Sequence, residues 1–396
     1  MALVTAATWS NLPPSNDNLK HMQKKKSQLL TIAASLCLPL AIAAGSAHAG
    51  PPPSAQPKPN RNVNVAIPAN VLQPPHQDRS FVQTEGEMTA KTRLFGPIGP
   101  GLRAVRRSAD GRTYILASPS PGLVVYDAKG KQVFTVAETA ATPGSKPTTA
   151  GITFGEDCDI DSDGRTYIAD RGSSMVDIIG PDGTFANSFA APAPVSIAWL
   201  GDGEIAVATL HEDHLVVVYD KRGHVTRDFG DPEQISDRDD LNRFLNVGEL
   251  ATDAAHHVYY GFNYTPEPTV RQFDRNGYSV GPDIQYVALE AAGQAQAIRR
   301  EIVKQEKNRK SPSFKRILTG FGVDPASGEV WMAIGNTLMH FDKDGNRRAS
   351  YQMYTPEGAR LEANTILIEP DRMIIGGDPI GIYEFQRPDK KNLGAK

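Results

Sequence analysis

Five residues between positions 159 and 170 have the types and spacing of a cation-binding loop. They are Asp159, Asp161, Asp163, Gly164 and Asp170, in the pattern D-x-D-x-D-G-x5-D. Carboxylates at alternate positions around a glycine turn can converge on a hard cation such as calcium, although the last ligand is usually Glu. The flanking residues are typical of strands rather than helices, and an Asp-Gly pair also serves as a turn. We therefore predict no bound metal and no cofactor, with calcium as the alternative.

A second polar group is the run His211, Glu212, Asp213 and His214. A zinc protease places two histidines on one helical face in the pattern H-E-x-x-H, whereas this run reads H-E-x-H between two strand-like segments. The run favours contact with a ligand over zinc binding. The sequence contains no nucleophile elbow, phosphate-binding loop or dinucleotide fingerprint in a workable context.

Both groups lie on short strands separated by glycine turns. The apolar runs Thr166–Ala169 and Met175–Ile179 are bracketed by turns at Gly164 and Gly183. Asp-Gly supplies the positive φ angles of a tight hairpin turn, so the pattern predicts four consecutive strands. Such a unit cannot bury both of its faces alone, and it therefore requires neighbours.

Similar units recur along the chain. Their turns include Gly111 with Gly130, Gly203 with Gly223, Gly277, and Gly328 with Gly345, and a shorter last copy occupies residues 370–385. Repeats of about four strands each are typical of a β-propeller. We predict an all-β fold, a six-bladed β-propeller over residues 81–390. A strand within Thr89–Phe95 is expected to complete the blade formed by the other end of the chain.

The segment Asp161–Val176 reads D-x-D-G-R-x-Y-I-A-D-x-G-x-x-x-V, which resembles the NHL repeat. Related copies cover about Gly101 to Phe385. The resemblance implies a six-bladed propeller, in a group that includes binding scaffolds, an amidating lyase and the distantly similar strictosidine-synthase and gluconolactonase groups. Because the gluconolactonase group holds a cation on the propeller axis, the resemblance also implies an alternative function, a metal-assisted hydrolase or lactonase.

The long insertions all fall on one rim of the predicted propeller. Tight turns join the first strand to the second and the third to the fourth, so the longer loops share the opposite rim, which we call the loop rim. One insertion, residues 286–312 between blades four and five, is predicted to be helical. Its apolar stripe is Ala291, Ala295, Ile298 and Ile302.

Loops on a rigid scaffold are where binding residues concentrate. We predict that ligand-binding residues lie in the loops between second and third strands of three consecutive blades. They are Asp170, Arg171, His211, Glu212, His214, Tyr264 and Glu267. The histidines titrate near neutral pH, which suits reversible binding or proton transfer.

The N-terminus has the pattern of a secretory signal. Lys24–Lys26 precede an apolar run, Leu29–Ala44, and Ala47-His48-Ala49 has small residues where a signal peptidase reads them. We predict a signal peptide over residues 1–49, with Met22 as an alternative start, and a periplasmic or secreted protein. Residues 50–80 are rich in proline and are predicted to form a flexible linker. No transmembrane segment is expected after cleavage.

Composition and net charge limit the classes of partner that we expect. The formal net charge of −3 gives no reason to expect nucleic acid as a partner. After cleavage Cys158 is the one cysteine left, so the protein would contain no internal disulfide. We predict an exported propeller that binds an unidentified small molecule, protein or peptide through its loop rim. The alternative is the metal-assisted hydrolase or lactonase, with its site at the axial end of the same rim.

Overall fold

The computed structural model describes residues 84–99, 101–138, 151–210, 213–286, 289–308 and 311–390. The predicted signal peptide lies outside the described residues, as does the predicted linker. The helices and strands are bounded as follows. They are β1 (Thr84–Thr89), β2 (Thr92–Leu94), β3 (Leu102–Arg107), β4 (Thr113–Ala117), β5 (Gly122–Tyr126), β6 (Gln132–Val136), β7 (Gly155–Ile160), β8 (Thr166–Asp170), β9 (Met175–Ile179), β10 (Phe185–Ala190), β11 (Pro194–Trp199), β12 (Ile205–Thr209), β13 (Val216–Tyr219), β14 (Val225–Phe229), α1 (Asp239–Leu245), β15 (Gly248–Thr252), β16 (Val258–Phe262), β17 (Thr269–Phe273), β18 (Ile284–Gln285), α2 (Leu289–Asn308), β19 (Gly320–Val323), β20 (Val330–Ile334), β21 (Thr337–Phe341), β22 (Arg347–Tyr354), β23 (Glu362–Ile368), β24 (Arg372–Asp378) and β25 (Gly381–Gln386).

The strands of the described ranges form six sheets, which are the blades of a propeller, and within each blade consecutive strands are antiparallel. Blades one to four are β3–β6, β7–β10, β11–β14 and β15–β18, and blades five and six are built on β19–β22 and β23–β25. The first strand of each blade contacts the first strand of the next, and β23 returns to contact β3, so these strands enclose the axis. The predicted six-bladed propeller is confirmed.

The N-terminal strands join the last two blades. β2 pairs antiparallel with β25 and becomes the outermost strand of blade six, as the sequence predicts. β1 was not predicted. It pairs in parallel with β22 over six residues and adds a fifth strand to blade five.

The recurrent aspartates of the repeat stabilise the turns between strands. In the turn after β7, the Asp161 carboxylate accepts bonds of 2.9 Å from the backbone N–H groups of Asp163 and Arg165. Gly164 follows with a φ of +80°, which an L side chain rarely adopts. The turn after β13 has the same arrangement around Asp220, with bonds from Arg222 and His224. These acidic residues therefore have a structural role on the rim opposite the loop rim.

Hydrophobic clusters fill the spaces between neighbouring blades. Cys158 of β7 is fully buried and packs with Leu116 of blade one and Ile168 of blade two. Trp331, also fully buried, lies in the cluster between blades five and six. Apolar burial between blades holds the ring together, at roughly 25 cal/mol for each Å² removed from water.

The helical insertion is confirmed, with α2 spanning Leu289–Asn308 within the predicted 286–312. Ile298 and Ile302 are buried against the cluster between blades four and five, and Ala295 is buried as well. The side chain of Ala291 lies outside the description. No helix among the described residues is both long and apolar enough to cross a membrane.

Helix α1 was not predicted, because its residues were assigned to a loop between blades three and four. Its Leu241 and Leu245 are fully buried in the same cluster as α2. The segment before α1 also contacts α2, since Ser236 Oγ donates a 2.7 Å bond to Glu306 and Arg238 donates to the Gln305 carbonyl. Both helices therefore cover the loop rim above blades four and five.

Candidate functional site

Asp170 and Arg171 stand at the end of β8 on the loop rim, but their side chains have different environments. Asp170 is fully buried. Its carboxylate accepts backbone bonds from Thr153 at 2.7 Å, Phe154 at 2.8 Å and Gly172 at 2.9 Å. Asp170 thus fixes the loop that presents Phe154 and Arg171 at the rim.

The other predicted rim residues are spread over the rim. His214 lies near Asp228 of β14, with 3.5 Å between Nδ1 and Oδ2, so it stands at the outer part of blade three. Tyr264 packs on Phe244 of α1, with 4.7 Å between ring centroids. Glu267 forms an ion pair with Arg299 of α2. His211 and Glu212 lie outside the described residues. The structure does not bring His214 next to Arg171.

A charged cluster surrounds the axis where the innermost strands begin on the loop rim. Arg103 of β3 and Arg171 both pair with Glu156 of β7, at 3.3 and 2.9 Å. Glu249 of β15 pairs with Arg316, which precedes β19, at 2.7 Å. We call these five side chains the axial mouth.

An aromatic ring supports two of the arginines. The guanidinium carbons of Arg103 and Arg171 lie 5.0 and 5.1 Å from the centroid of Phe154. A cation near an aromatic ring is attracted by the ring quadrupole, by about 0.5–1 kcal/mol at an exposed site. Because Asp170 binds the Phe154 backbone, the predicted loop residue positions the mouth indirectly.

The two sides of the mouth are electrostatically coupled across the axis. The pKa of Arg316 is raised because Glu249, Tyr264 and the more distant Glu156 together outweigh the effect of burial. Burial raises the pKa of Glu249, and the Arg316 charge opposes that shift. Tyr264 is one of the groups that act electrostatically on Arg316. Thus Arg171 and Tyr264, two of the predicted residues, both reach the mouth.

A second layer of side chains fills the axis below the mouth. Arg106 of β3 donates a 2.7 Å hydrogen bond to Asp157 of β7. Ser196 Oγ of β11 donates to the other Asp157 oxygen at 2.5 Å and accepts from Leu250 N–H of β15 at 2.9 Å. Four consecutive blades are linked by this layer, which we call the axial plug.

Below the plug, a cavity of about 280 Å³ lies at the opposite end of the axis. Its lining combines apolar side chains such as Leu250, Phe321 and Ile368 with four charged residues, Arg106, Arg107, Asp159 and Asp253. Arg107 pairs with Glu369 at 3.3 Å. Burial raises the pKa of Asp159, whose carboxylate accepts a 2.7 Å bond from the Trp199 N–H.

The aspartates of the possible cation loop have separate partners. Asp159 accepts from Trp199, Asp161 from the backbone of its own turn, and Asp163 pairs with Arg165 at 2.6 Å. Asp170 binds its own loop. In the part of the chain that the structure describes, no three His, Cys, Asp or Glu side chains are grouped as metal ligands would be.

Sequence reasoning missed Arg103, Glu156, Glu249 and Arg316. The sequence did contain a signal for Arg103, Glu156 and Glu249. The innermost strand of a propeller blade is expected to be apolar or small, yet LRAVRR, GEDCDI and GELAT carry charges. A charge on an innermost strand has to face the axis or another charge, since burial of an unpaired charge is costly.

Comparison with known proteins adds little to this description. No protein-family model matches the chain, and no curated protein matches its sequence. The NHL resemblance is therefore still a prediction.

Three solved structures of lyases are similar to this chain. A streptogramin B lyase is 13% identical with a TM-score of 0.46, covering 75% of this chain and 86% of the lyase. A virginiamycin B lyase from Staphylococcus aureus is 13% identical with a TM-score of 0.44, covering 73% and 85%. The same lyase in a catalytically inactive form with quinupristin is 11% identical, with a TM-score of 0.47 and coverages of 76% and 100%. Likeness at this level does not indicate what the present chain does.

Proposed function

We propose that the protein is a ligand-binding propeller whose axial mouth takes a small ligand with a carboxylate or another acidic group. The observation that carries this proposal is the charge balance of the mouth. Among the described residues, Arg103, Arg171 and Arg316 form ion pairs with two carboxylates, Glu156 and Glu249, and Glu156 is shared by two arginines. One positive charge is left over. The planar guanidinium group matches a carboxylate in geometry, which favours an acidic ligand over a neutral one.

The arginines of the mouth are accessible. The exposed fractions of the Arg103, Arg171 and Arg316 side chains are 29%, 43% and 36%. Nε of Arg103 is buried and has no hydrogen-bond partner among the described residues. A buried donor without an acceptor costs about 1–3 kcal/mol, so a ligand oxygen at this nitrogen would be stabilised.

The environment of the titratable groups supports binding more than catalysis. Glu156 and Glu249 are both held by arginines, which is a poor arrangement for a general base. Burial raises the pKa of the Cys158 thiol and disfavours a thiolate nucleophile. None of the contacts described above favours the metal-assisted hydrolase, which stays the alternative from the sequence.

A binding experiment tests the proposal. Thermal-shift and calorimetric titration with a panel of carboxylic acids and their amides should identify acids that bind better than the matched amides. Arg171→Ala and Arg103→Ala are expected to weaken the best acid at least about tenfold, the scale of a lost charge-assisted bond. Arg165→Ala is a matched control, because Arg165 is exposed to a similar degree but lies on the opposite rim. Affinity that survives both mouth substitutions would contradict the proposal.

Substitution of the rim residues His211, Glu212 and His214 can distinguish a small ligand from a protein or peptide. A ligand confined to the axis would not sense substitution of His211, Glu212 and His214 by Ala. A protein or peptide that extends from the mouth across blade three would bind more weakly to the triple variant. If the triple variant keeps its affinity for the small acid and also for a protein or peptide partner, these three residues are not part of the binding site.

Export is proposed on the sequence pattern alone. A lysine cluster, an apolar run and an A-x-A site occur in the order of a secretory signal. N-terminal sequencing of the periplasmic or secreted protein should begin at Gly50. A different first residue, or full-length protein kept in the cytoplasm, would show that the interpretation is wrong.

A further inference from the structure

A second cavity on the loop rim lies beside the axial mouth, between α2 and blade five. Its volume is about 190 Å³. For comparison, an apolar protein cavity of roughly 150 Å³ is large enough to hold benzene. The polar side chains of its wall come from α2, the segment before β19, the turn between β20 and β21, and the start of β23. They are Gln294, Lys315, Arg316, Asn336, Thr337 and Glu362.

Two oppositely charged side chains in the wall of this cavity take part in no ion pair among the described residues. Lys315 and Glu362 are both exposed. Among the described residues neither has an ion-pair partner, and they do not pair with each other although both line the cavity. Arg316, the other cation in the wall, is already held by Glu249 at 2.7 Å. The cavity therefore offers one free ammonium group and one free carboxylate.

The hydrogen-bonding groups of the wall are held in place. Gln352 accepts a 2.8 Å bond from Asn336 Nδ2 and donates a 2.9 Å bond to Thr337 Oγ1. This arrangement leaves the side-chain Oδ1 of Asn336 and the Thr337 hydroxyl hydrogen for a ligand. Ile334 and Met339 supply apolar surface in the same cavity. Small-molecule sites combine apolar walls with a few fixed polar groups in this way.

We propose that this cavity binds a free α-amino acid. The ligand carboxylate pairs with Lys315, the ligand ammonium pairs with Glu362, and the ligand side chain lies against Ile334 and Met339. A zwitterion satisfies both free charges at once, whereas a simple anion or cation leaves one of them alone. This site adjoins the axial mouth and shares the Arg316 side chain with it, but the two ligand charges pair with Lys315 and Glu362, which lie outside the mouth.

The experiment uses the full chain without its leader and measures calorimetric affinity for a panel of free L-amino acids. Each amino acid that binds is compared with its N-acetyl derivative, which lacks the ammonium charge, and its amide, which lacks the carboxylate. We expect both derivatives to bind at least about tenfold more weakly, because each loses one charge-assisted hydrogen bond.

Two substitutions connect each charge of the ligand to its partner. In Lys315→Gln the amide should bind as well as the free amino acid, and in Glu362→Gln the N-acetyl derivative should do so. Lys307→Gln is the control, since Lys307 is also an exposed lysine but lies in the last turn of α2, outside the cavity wall. Affinity for the amino acid that falls in Arg103→Ala or Arg171→Ala but survives Lys315→Gln would place the amino acid in the axial mouth and overturn the proposal.

Three further results would overturn the proposal. One is the absence of binding for all amino acids at millimolar concentration. Another is equal affinity for an amino acid and its N-acetyl derivative, which would mean an anion site. The third is affinity that survives both Lys315→Gln and Glu362→Gln.

Discussion

The guanidinium of Arg106 lies 2.7 Å from the Asp157 carboxylate, and this pair joins blade one to blade two at the propeller axis. Burial disfavours the charge on Arg106, but the pKa of Arg106 is nevertheless raised because Asp157 and its acidic neighbours together outweigh that effect. Arg106 therefore stays charged. The pair is structural, since Asp157 also accepts from Ser196 Oγ.

Asp157→Ala should lower the free energy of unfolding by roughly 2–4 kcal/mol, because it leaves the Arg106 charge in the axis without its partner. Ser196→Ala should cost about 1–3 kcal/mol, because it removes two hydrogen bonds and leaves the Leu250 N–H without its acceptor. Urea titration measures both. Adding Arg106→Met to Asp157→Ala should recover part of the loss, and a further large loss would contradict the ion-pair account.

Stability should depend on pH through Asp177. This residue is 6% exposed, and burial together with the hydrogen-bonded Asp170 carboxylate raises its pKa from 3.8 to about 7. Between these values the folded protein keeps a proton that the unfolded chain releases. The contribution of Asp177 to stability is therefore full below about pH 4 and is lost as pH rises through about 7.

Asp177→Asn resembles the protonated form and should remove this loss. We expect the variant to exceed the parent by roughly 1–3 kcal/mol at pH 8 and to match it near pH 4. Asp371→Asn, at an exposed turn, is the control. Denaturant titrations at both pH values make the comparison. A difference that is equal at pH 4 and pH 8 would show that the Asp177 charge is not responsible.

Ring closure should depend more on β2 than on β1. A variant that begins at Ala90 loses β1 and the buried Met88 but keeps the pairing of β2 with β25. A variant that begins at Gly96 also exposes the edge of β25. We expect a moderate loss of melting temperature for the first and a much larger loss, or failure to fold, for the second. Equal melting temperatures would indicate closure by another route.

Calcium should leave the melting temperature unchanged. The Asp161 carboxylate is occupied by two backbone N–H groups and by Tyr167 at 3.1 Å, and Asp163 is paired with Arg165. Asp161→Ala should destabilise the protein by about 1–3 kcal/mol with or without calcium, since buried donors lose their acceptor. Thermal unfolding in millimolar calcium and in chelator checks this. A rise of several degrees that Asp161→Ala abolishes would instead show a calcium site.

The blades could be predicted because their signals are local. Each unit places an apolar run beside a glycine turn, as in Thr166–Ala169 after Gly164, and neighbours within a blade are also neighbours in sequence. The stripe of α2 is local in the same way. Helix α1 was missed although Leu241 and Leu245 have helical spacing, because seven residues are too few for a strong periodic pattern.

The axial mouth could not be predicted from spacing, because its members come from different blades. Glu156 and Arg316 approach each other only when the ring closes. The predicted rim residues lie on the same rim but at different distances from the propeller axis. Arg171 reaches the axis, whereas His214 lies beside Asp228 on an outer strand. Similarly, β1 has one buried apolar side chain among its described residues, Met88, so its parallel pairing left no pattern in sequence.

The order of the two N-terminal strands has a mechanical consequence. Any pull transmitted along the chain from the residues before Thr84 reaches β1 before it reaches β2. The six-residue pairing of β1 with β22 must give way first, and blade five keeps its own four strands when it does. β1 therefore separates from the sheet before β2 does. The pairing of β2 with β25, which closes the ring, is retained under a pull that is strong enough to detach β1 alone.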